Sequence, residues 1–269
     1  MTPWQAAILA LVQAVTEFLP ISSSGHLILM PRLLGWGDQG LEFDIATNTG
    51  TLLAVMLYFR DDLRKMARAL PASLTSDGRA ERPEARLLFS LALGTIPAAV
   101  VGLLAKDWIS TYGRDPRLIA ATAIFYGGWL IYADRAGTKI RGEDGFGVRE
   151  ALLIGAAQAL ALVPGTSRSG VTMTAALLLG FARPAAARFS FLLSVPIGLL
   201  VAANQLKDII LGEPLGVAPL PLGIGIAVAA AAGFAVIALF LAWIRRRPLA
   251  PFGWYRIALG IALLLLFRA

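Results

Sequence analysis

Two short polar runs interrupt apolar parts of the chain, and they contain the residues that could do chemistry. The first begins at Glu17, contains Ser22-Ser23-Ser24-Gly25 and ends at His26, the single histidine of the sequence. The second is Pro164-Gly-Thr-Ser-Arg-Ser-Gly170, with Arg168 near its centre. Serine acts as a nucleophile beside a base, histidine changes charge near neutral pH, and a guanidinium matches phosphate oxygens. These residue types point to chemistry on a phosphate group.

Each run lies inside a longer apolar stretch, 2–30 for the first and 151–182 for the second, so each predicts a helix, a break and a second helix. Broken backbone at membrane depth persists only where protein or a water-filled cavity satisfies it, and a helix N-terminus attracts anions. We therefore expect two re-entrant hairpins that bind an anion. The expected binding residues are Gln13, which shares a helical face with Glu17, and Ser22, Ser24, Gly25, Gly165, Thr166, Ser167, Ser169 and Gly170.

The composition predicts a membrane protein. Hydrophobic residues make up 57% of the 269 residues, charged residues 15%, and the mean hydropathy is +0.71. A soluble protein of this size could not bury so much apolar surface, which argues against an ordinary cytosolic enzyme. The absence of cysteine excludes disulfides, thiolate metal sites and a cysteine nucleophile. The net charge of +7 comes from short loops between apolar runs, so we interpret it as a topology signal and expect no nucleic-acid partner.

Six further apolar runs approach the length that a helix needs to cross the hydrocarbon core, about 20 residues. They predict an all-α polytopic membrane protein with six transmembrane helices and two re-entrant hairpins. The runs are Ile45–Phe59, Leu87–Ala105, Leu118–Ala133, Phe189–Leu206, Pro214–Ile244 and Phe252–Phe267.

The basic residues predict how the chain is threaded. They concentrate in four segments, 60–86, 135–149, 183–188 and 245–247, which we place in the cytoplasm. Both termini are then outside, and the two hairpins enter from opposite sides. This is an inverted-topology repeat within one membrane domain, 1–269, with repeat 1 at about 1–133 and repeat 2 at about 150–269. An ungapped alignment of the two breaks pairs Pro20 with Pro164 and Ser22 with Thr166.

The two polar runs resemble the signature motifs of the undecaprenyl-diphosphatase, or bacitracin-resistance, family of bacterial integral membrane phosphatases. Gly94-Thr-Ile-Pro97, Phe189-Ser-Phe-Leu-Leu-Ser-Val-Pro196 and Tyr255-Arg256 are similar to its other conserved blocks. The resemblance covers nearly the whole chain. It implies hydrolysis of undecaprenyl diphosphate to undecaprenyl phosphate and inorganic phosphate, which recycles the lipid carrier for peptidoglycan and other envelope polymers.

The resemblance also implies a multi-pass protein of the bacterial inner membrane, an active site that opens to the periplasm, and dependence on Mg²⁺ or Ca²⁺. Its substrate would be a polyprenyl diphosphate lipid, and a homodimer is compatible with it. Many members carry Glu where this sequence has Gln13, and this departure argues against a two-carboxylate metal site.

The catalytic hypothesis has Ser23 as nucleophile, His26 as its acid or base, and Arg168 as the group that stabilises phosphoryl charge. Glu17 either holds the divalent metal with substrate oxygens or orients His26, and the sequence leaves both roles open. It also leaves open direct attack by His26. A transporter of a lipid-linked or anionic substrate is the alternative function, because inverted repeats with broken helices also build transporters.

Overall fold

The computed structural model describes residues 1–105, 115–211 and 216–267, and these residues are almost entirely helical. The only β-type pairing among them is a single bridge between Arg141 and Phe181. The helices are α1 Pro3–Phe18, α2 Ser23–Leu33, α3 Leu41–Tyr58, α4 Arg60–Arg68, α5 Leu70–Ser73, α6 Ser76–Glu81, α7 Pro83–Leu104, α8 Pro116–Ala136, α9 Val148–Leu160, α10 Arg168–Leu178, α11 Arg183–Ile210, α12 Pro219–Ile244 and α13 Ala250–Leu266.

The chain is a helical membrane protein. Three of the described helices are long and apolar enough to cross a membrane: Pro83–Leu104, Arg183–Lys207 and Pro219–Ile244. Each of the other predicted spans also contains a helix, namely α3, α8 and the shorter apolar α13. Pro214, where one predicted span begins, lies outside the described residues.

Both polar runs form the predicted break between two helices. Helix α1 starts from a capping box of Thr2 with Gln5 and ends at Phe18, because Pro20 disfavours helical backbone at the residue before it. Helix α2 starts after Ser22, whose φ of 75° is unusual for a residue other than glycine. Helix α10 starts after Ser167, with φ of 65°.

The pairing of Ser22 with Thr166 is wrong by one residue. Ser22 and Ser167 are the two N-cap residues and share the positive-φ backbone, so they are the equivalent positions. Two residues separate Pro20 from Ser23, the first residue of α2, whereas three separate Pro164 from Arg168, the first residue of α10. The extra residue makes Ser23 the counterpart of Arg168.

The helix that precedes each break packs against a long helix from the other half of the chain. Helix α1 lies along α12, and α9 lies along α7. The second pair is close enough that a Cβ on Gly155 would overlap the backbone of Gly94. The two halves thus pack across each other, and the two breaks contact one another.

The four segments predicted to be cytoplasmic gather at one end of the molecule. Arg188 at the start of α11 donates to Asp62 of α4 and to Glu143 of the 135–149 segment, both at 2.6 Å. Asp134 at the end of α8 accepts from Arg183 Nε at 2.5 Å and from the Leu249 backbone N–H at 2.8 Å, just after the 245–247 basic run. The ion pairs therefore join loops that are far apart in the sequence.

Candidate active site

The two breaks bind each other through serine side chains and backbone. The backbone N–H of Gly165 donates to Ser24 Oγ at 3.2 Å. In return, Ser169 Oγ lies 3.1 Å from the carbonyl oxygen of Glu17 and 3.2 Å from that of Leu19. Since Ser24 and Ser169 are each the second residue of their helix, the contact is reciprocal, and it holds the N-termini of α2 and α10 side by side.

Glu17, in the last turn of α1, lies at the centre of the site. Ser23 Oγ donates to its Oε2 at 2.9 Å, and Arg168 Nη2 donates to its Oε1 at 3.1 Å. The second arm of the guanidinium, Nη1, donates to the carbonyl oxygen of Ser190 in α11 at 3.2 Å. The carboxylate and guanidinium side chains are only 15% and 18% exposed. The first residues of two helices therefore converge on one shielded carboxylate.

A cavity of about 310 Å³ opens beside this cluster. One part of its wall is polar and includes Glu17, Ser23, Ser24, Asn48, Ser167 and Arg168. The remaining wall is largely aliphatic and includes Ile45, Leu52, Val55, Ile197 and Val201, from α3 and α11. The cavity therefore has an anion-binding end with a basic group and two helix N-termini, and an apolar side.

His26 does not pair with Ser23 in this structure, contrary to the sequence-based hypothesis. Its Nδ1 lies 2.7 Å from the carbonyl oxygen of Ser22, and its Nε2 lies 2.7 Å from Tyr255 Oη on α13. Both ring nitrogens are thus engaged on the side of α2 that faces α13, and the cavity wall does not include His26. Neither does Glu17 orient the imidazole, because its carboxylate contacts Ser23, Arg168 and Gln13.

Comparison with known proteins identifies the family of the chain. Residues 6–262 match the family model described as bacitracin resistance protein BacA. The chain belongs to the BacA family. It is 50% identical over 265 residues to the undecaprenyl-diphosphatase of Magnetococcus marinus, covering 98% of each chain. It is 46% identical over 267 residues to the undecaprenyl-diphosphatase of Thioalkalivibrio sulfidiphilus, covering 99% of this chain and 100% of the relative.

Few side-chain oxygens among the described residues of this BacA-family chain could bind a divalent cation at the site. The described residues contain no group of three or more His, Cys, Asp or Glu that could hold a metal. Gln13, whose Nε2 lies 3.3 Å from Glu17 Oε2 and 2.8 Å from Asn48 Oδ1, keeps a buried Oε1 without a partner among them. The amide faces Glu17 through Nε2 and Gln13 does not line the cavity, so Glu17 is the side chain that fits Mg²⁺ or Ca²⁺ there, with phosphate oxygens and water completing the shell.

Most of the other predicted binding residues lie inside the two breaks and away from the cavity. Five of them do not line the cavity: Ser22, Gly25, Thr166, Ser169 and Gly170. Gly165, at φ +83°, lies on the wall and also against α8, where a Cβ would overlap Thr122 and Ile119. The backbone of this BacA-family site is therefore fixed by close packing.

Arg256 on α13 is a site-supporting residue to which the sequence reasoning gave no role. It is fully buried, and its Nη2 donates to the carbonyl oxygens of Gly165 at 3.0 Å and Thr166 at 2.7 Å. Its guanidinium also packs where a Cβ on Gly170 would lie. The signal was present in the sequence, because an arginine inside an apolar helix is costly unless it has partners.

Proposed function

We propose that this protein hydrolyses undecaprenyl diphosphate to undecaprenyl phosphate and inorganic phosphate, and so recycles the lipid carrier and confers bacitracin resistance. One observation carries the proposal: Glu17 accepts the Ser23 hydroxyl at 2.9 Å and faces Arg168 at 3.1 Å beside a cavity. This arrangement provides a nucleophile, its base and a cation for the phosphate. The family and the two named relatives support the same reaction.

The cavity suits a substrate with a charged head and a long apolar tail. Arg168, the backbone N–H groups at the start of α2 and those at the start of α10 would bind the diphosphate. The aliphatic wall formed by α3 and α11 would contact the first isoprene units, while the rest of the tail stays in lipid. A transporter needs such a cavity too, but it does not need a serine paired with a carboxylate.

In the first step, Ser23 Oγ attacks the terminal phosphorus while its proton moves to Glu17 Oε2. The bond between the terminal phosphorus and the bridging oxygen breaks. Glu17 passes the proton to that oxygen, and undecaprenyl phosphate leaves. Arg168 and the helix N-termini stabilise the charge that spreads over the phosphoryl oxygens. The product held on the protein is a phosphoserine.

In the second step, a water molecule attacks the phosphoserine and gives its proton to Glu17. The bond from phosphorus to Ser23 Oγ breaks, Glu17 returns the proton to that oxygen, and inorganic phosphate leaves. Direct attack by His26 is less suited to the geometry, because both of its ring nitrogens are occupied away from the cavity.

We further propose that Mg²⁺ or Ca²⁺ is held by Glu17 and phosphate oxygens. When bound, the cation would neutralise charge on the diphosphate. The position of Glu17 on the cavity wall supports this assignment, because Mg²⁺ usually takes one or two carboxylates together with phosphate oxygens.

The proposed topology has six transmembrane helices, two re-entrant hairpins and an inverted repeat within one domain of the bacterial inner membrane. The site would open to the periplasm. The gathering of all four basic segments at one end supports this threading, since cytoplasmic loops carry the excess of Lys and Arg. The homodimer stays a prediction.

The test is phosphate release from undecaprenyl diphosphate by the purified protein in detergent, before and after chelation and after return of Mg²⁺ or Ca²⁺. We expect turnover that Ser23→Ala abolishes and that chelation lowers. A protein that binds the lipid tightly but releases no phosphate under any of these conditions would refute the phosphatase and favour the transporter.

A further inference from the structure

Tyr255 on the last helix contacts His26 across the molecule, although 229 positions separate them. Its Oη lies 2.7 Å from Nε2, and the two rings are parallel within 2° with centroids 5.6 Å apart. Nδ1 of the same imidazole lies 2.7 Å from the Ser22 carbonyl oxygen. A carbonyl oxygen only accepts hydrogen bonds, so Nδ1 must carry a hydrogen. In the neutral ring, Nε2 is then the acceptor of the tyrosine hydroxyl.

The hydrogen bond from His26 to the Ser22 carbonyl oxygen holds the backbone at a residue with an unusual, positive φ. Ser22 has φ 75° and its side chain does not cap α2. At the equivalent point of the second break, Ser167 accepts from Gly170 N–H through its side chain and from Val171 N–H through its carbonyl oxygen, at 3.2 and 2.9 Å. The first break instead uses the His26 side chain to hold the carbonyl oxygen of Ser22.

We propose that Tyr255 is a positioning residue: by donating to Nε2 it keeps His26 in the Nδ1–H tautomer, which holds Ser22 and so directs Ser23 toward Glu17. The peptide unit that His26 holds is the one that joins Ser22 to Ser23, so a rotation there moves the Ser23 hydroxyl. Tyr255 thus acts through His26 and need not touch the substrate. The consequence for turnover rests on the proposed function, whereas the consequence for the tautomer does not.

The first test is the ¹⁵N spectrum of His26 in protein labelled at histidine, recorded at a pH where the ring is neutral. Because the sequence contains one histidine, every ring signal belongs to it. We expect wild type to show a protonated Nδ1 and an unprotonated Nε2. Tyr255→Phe should move the signals toward the Nε2–H tautomer that free imidazole side chains favour. Tyr132→Phe, at a tyrosine that is 62% exposed on α8, is the matched control and should match wild type.

The second test is steady-state phosphate release. Tyr255→Phe should lower kcat roughly tenfold, the size expected for one hydrogen bond, and leave KM nearly unchanged, because the cavity wall is intact. In a His26→Gln background the same change should add nothing, since the tyrosine acts through the imidazole.

Two outcomes would overturn the proposal: a dominant Nε2–H tautomer in wild type, or a Tyr255→Phe protein with wild-type spectrum and kcat. A wild-type protein with the Nδ1–H tautomer that releases no phosphate would refute the proposed function and still support the Tyr255 contact.

Discussion

At the scale of single residues, the site depends on how one carboxylate is shared. Glu17 accepts Ser23 through one oxygen and Arg168 through the other, so its two oxygens serve different partners. Ser23 is the first residue of α2 and Arg168 the first residue of α10. Each side chain is directed by a helix start, which leaves little freedom for either to be replaced by a longer or shorter group.

Ser23→Ala and Glu17→Gln should each abolish most phosphate release, and the double variant should be about as impaired as either one. The physical reason is that the hydroxyl and its base work as a unit, so that losing one disables the other. The measurement is kcat/KM for the two single variants and the double variant. Ser76→Ala, at an exposed serine, is the control. Losses that multiply in the double variant would contradict the pairing.

Arg168→Lys should lower kcat by about 100-fold, in the range seen when one transition-state donor is removed, while the protein still folds. Arg168 uses one guanidinium nitrogen for Glu17 and the other for the Ser190 carbonyl oxygen, and an ammonium group cannot span both. Turnover in detergent checks this, with Arg135→Lys at an exposed position as control. Near wild-type kcat would exclude a role for the two-armed guanidinium geometry of Arg168.

At the scale of elements, both breaks are held in place by side chains from other helices. The second break is held by α8 through Thr122 Oγ1, which lies 2.5 Å from the Pro164 carbonyl oxygen, and by α13 through Arg256. The first break is held by α13 through the Tyr255 hydroxyl, which contacts the His26 imidazole. The last helix therefore contacts both breaks with two consecutive residues, and this explains why its interior contains an arginine.

Gly165→Ala should lower both thermal stability and turnover, because its φ is +83° and a Cβ there would overlap Thr122 and the α8 backbone. Gly35→Ala is a matched control, since Gly35 also has positive φ, +66°, but no atom within 4 Å of the added Cβ. We expect the control to lose about 1 kcal/mol from backbone strain alone and to keep its activity. Melting temperature and phosphate release distinguish the two variants; equal losses in both would contradict the packing argument.

At the scale of the whole molecule, the ion pairs at one end indicate which loops lie on the same side of the helices. Asp62, Glu143 and Arg188 come from three separate segments, yet their side chains meet within 2.6 Å. At the other end, the backbone N–H of Gly216 donates to Glu42 at the start of α3. Among the described residues, these contacts therefore lie at two different ends of the helices, as expected for a chain that crosses a membrane repeatedly.

Single cysteines can test this arrangement, because the natural sequence has none. Gly37→Cys, in the exposed segment between α2 and α3, should react with a membrane-impermeant maleimide in intact spheroplasts. Ser76→Cys, in the basic 60–86 segment, should react only after the membrane is opened. The reverse pattern of labelling would overturn the proposed topology and the periplasmic opening of the site.

Much of the fold could be predicted from local patterns. Long apolar runs, with Pro20 and Pro164 within the two breaks, indicate the helices and the breaks without knowledge of packing. The threading that the basic residues indicate stays a prediction. Local patterns also indicate Glu17, Ser23 and Arg168, because polar groups inside apolar segments are costly and so mark a site. In the structure these three side chains contact one another, and their catalytic roles stay a prediction.

The tertiary structure decided which side chain contacts which. Three-residue spacing suggested that His26 would reach Ser23, but the imidazole turns to Ser22 and to Tyr255, which is 229 positions away in sequence. The buried Arg256 and the one-residue offset between the breaks likewise depend on contacts between distant helices. Spacing along one helix determines only the direction in which a side chain points. The helix that packs against that side chain determines its hydrogen-bond partner, because a hydrogen bond needs a particular distance and angle between the two groups.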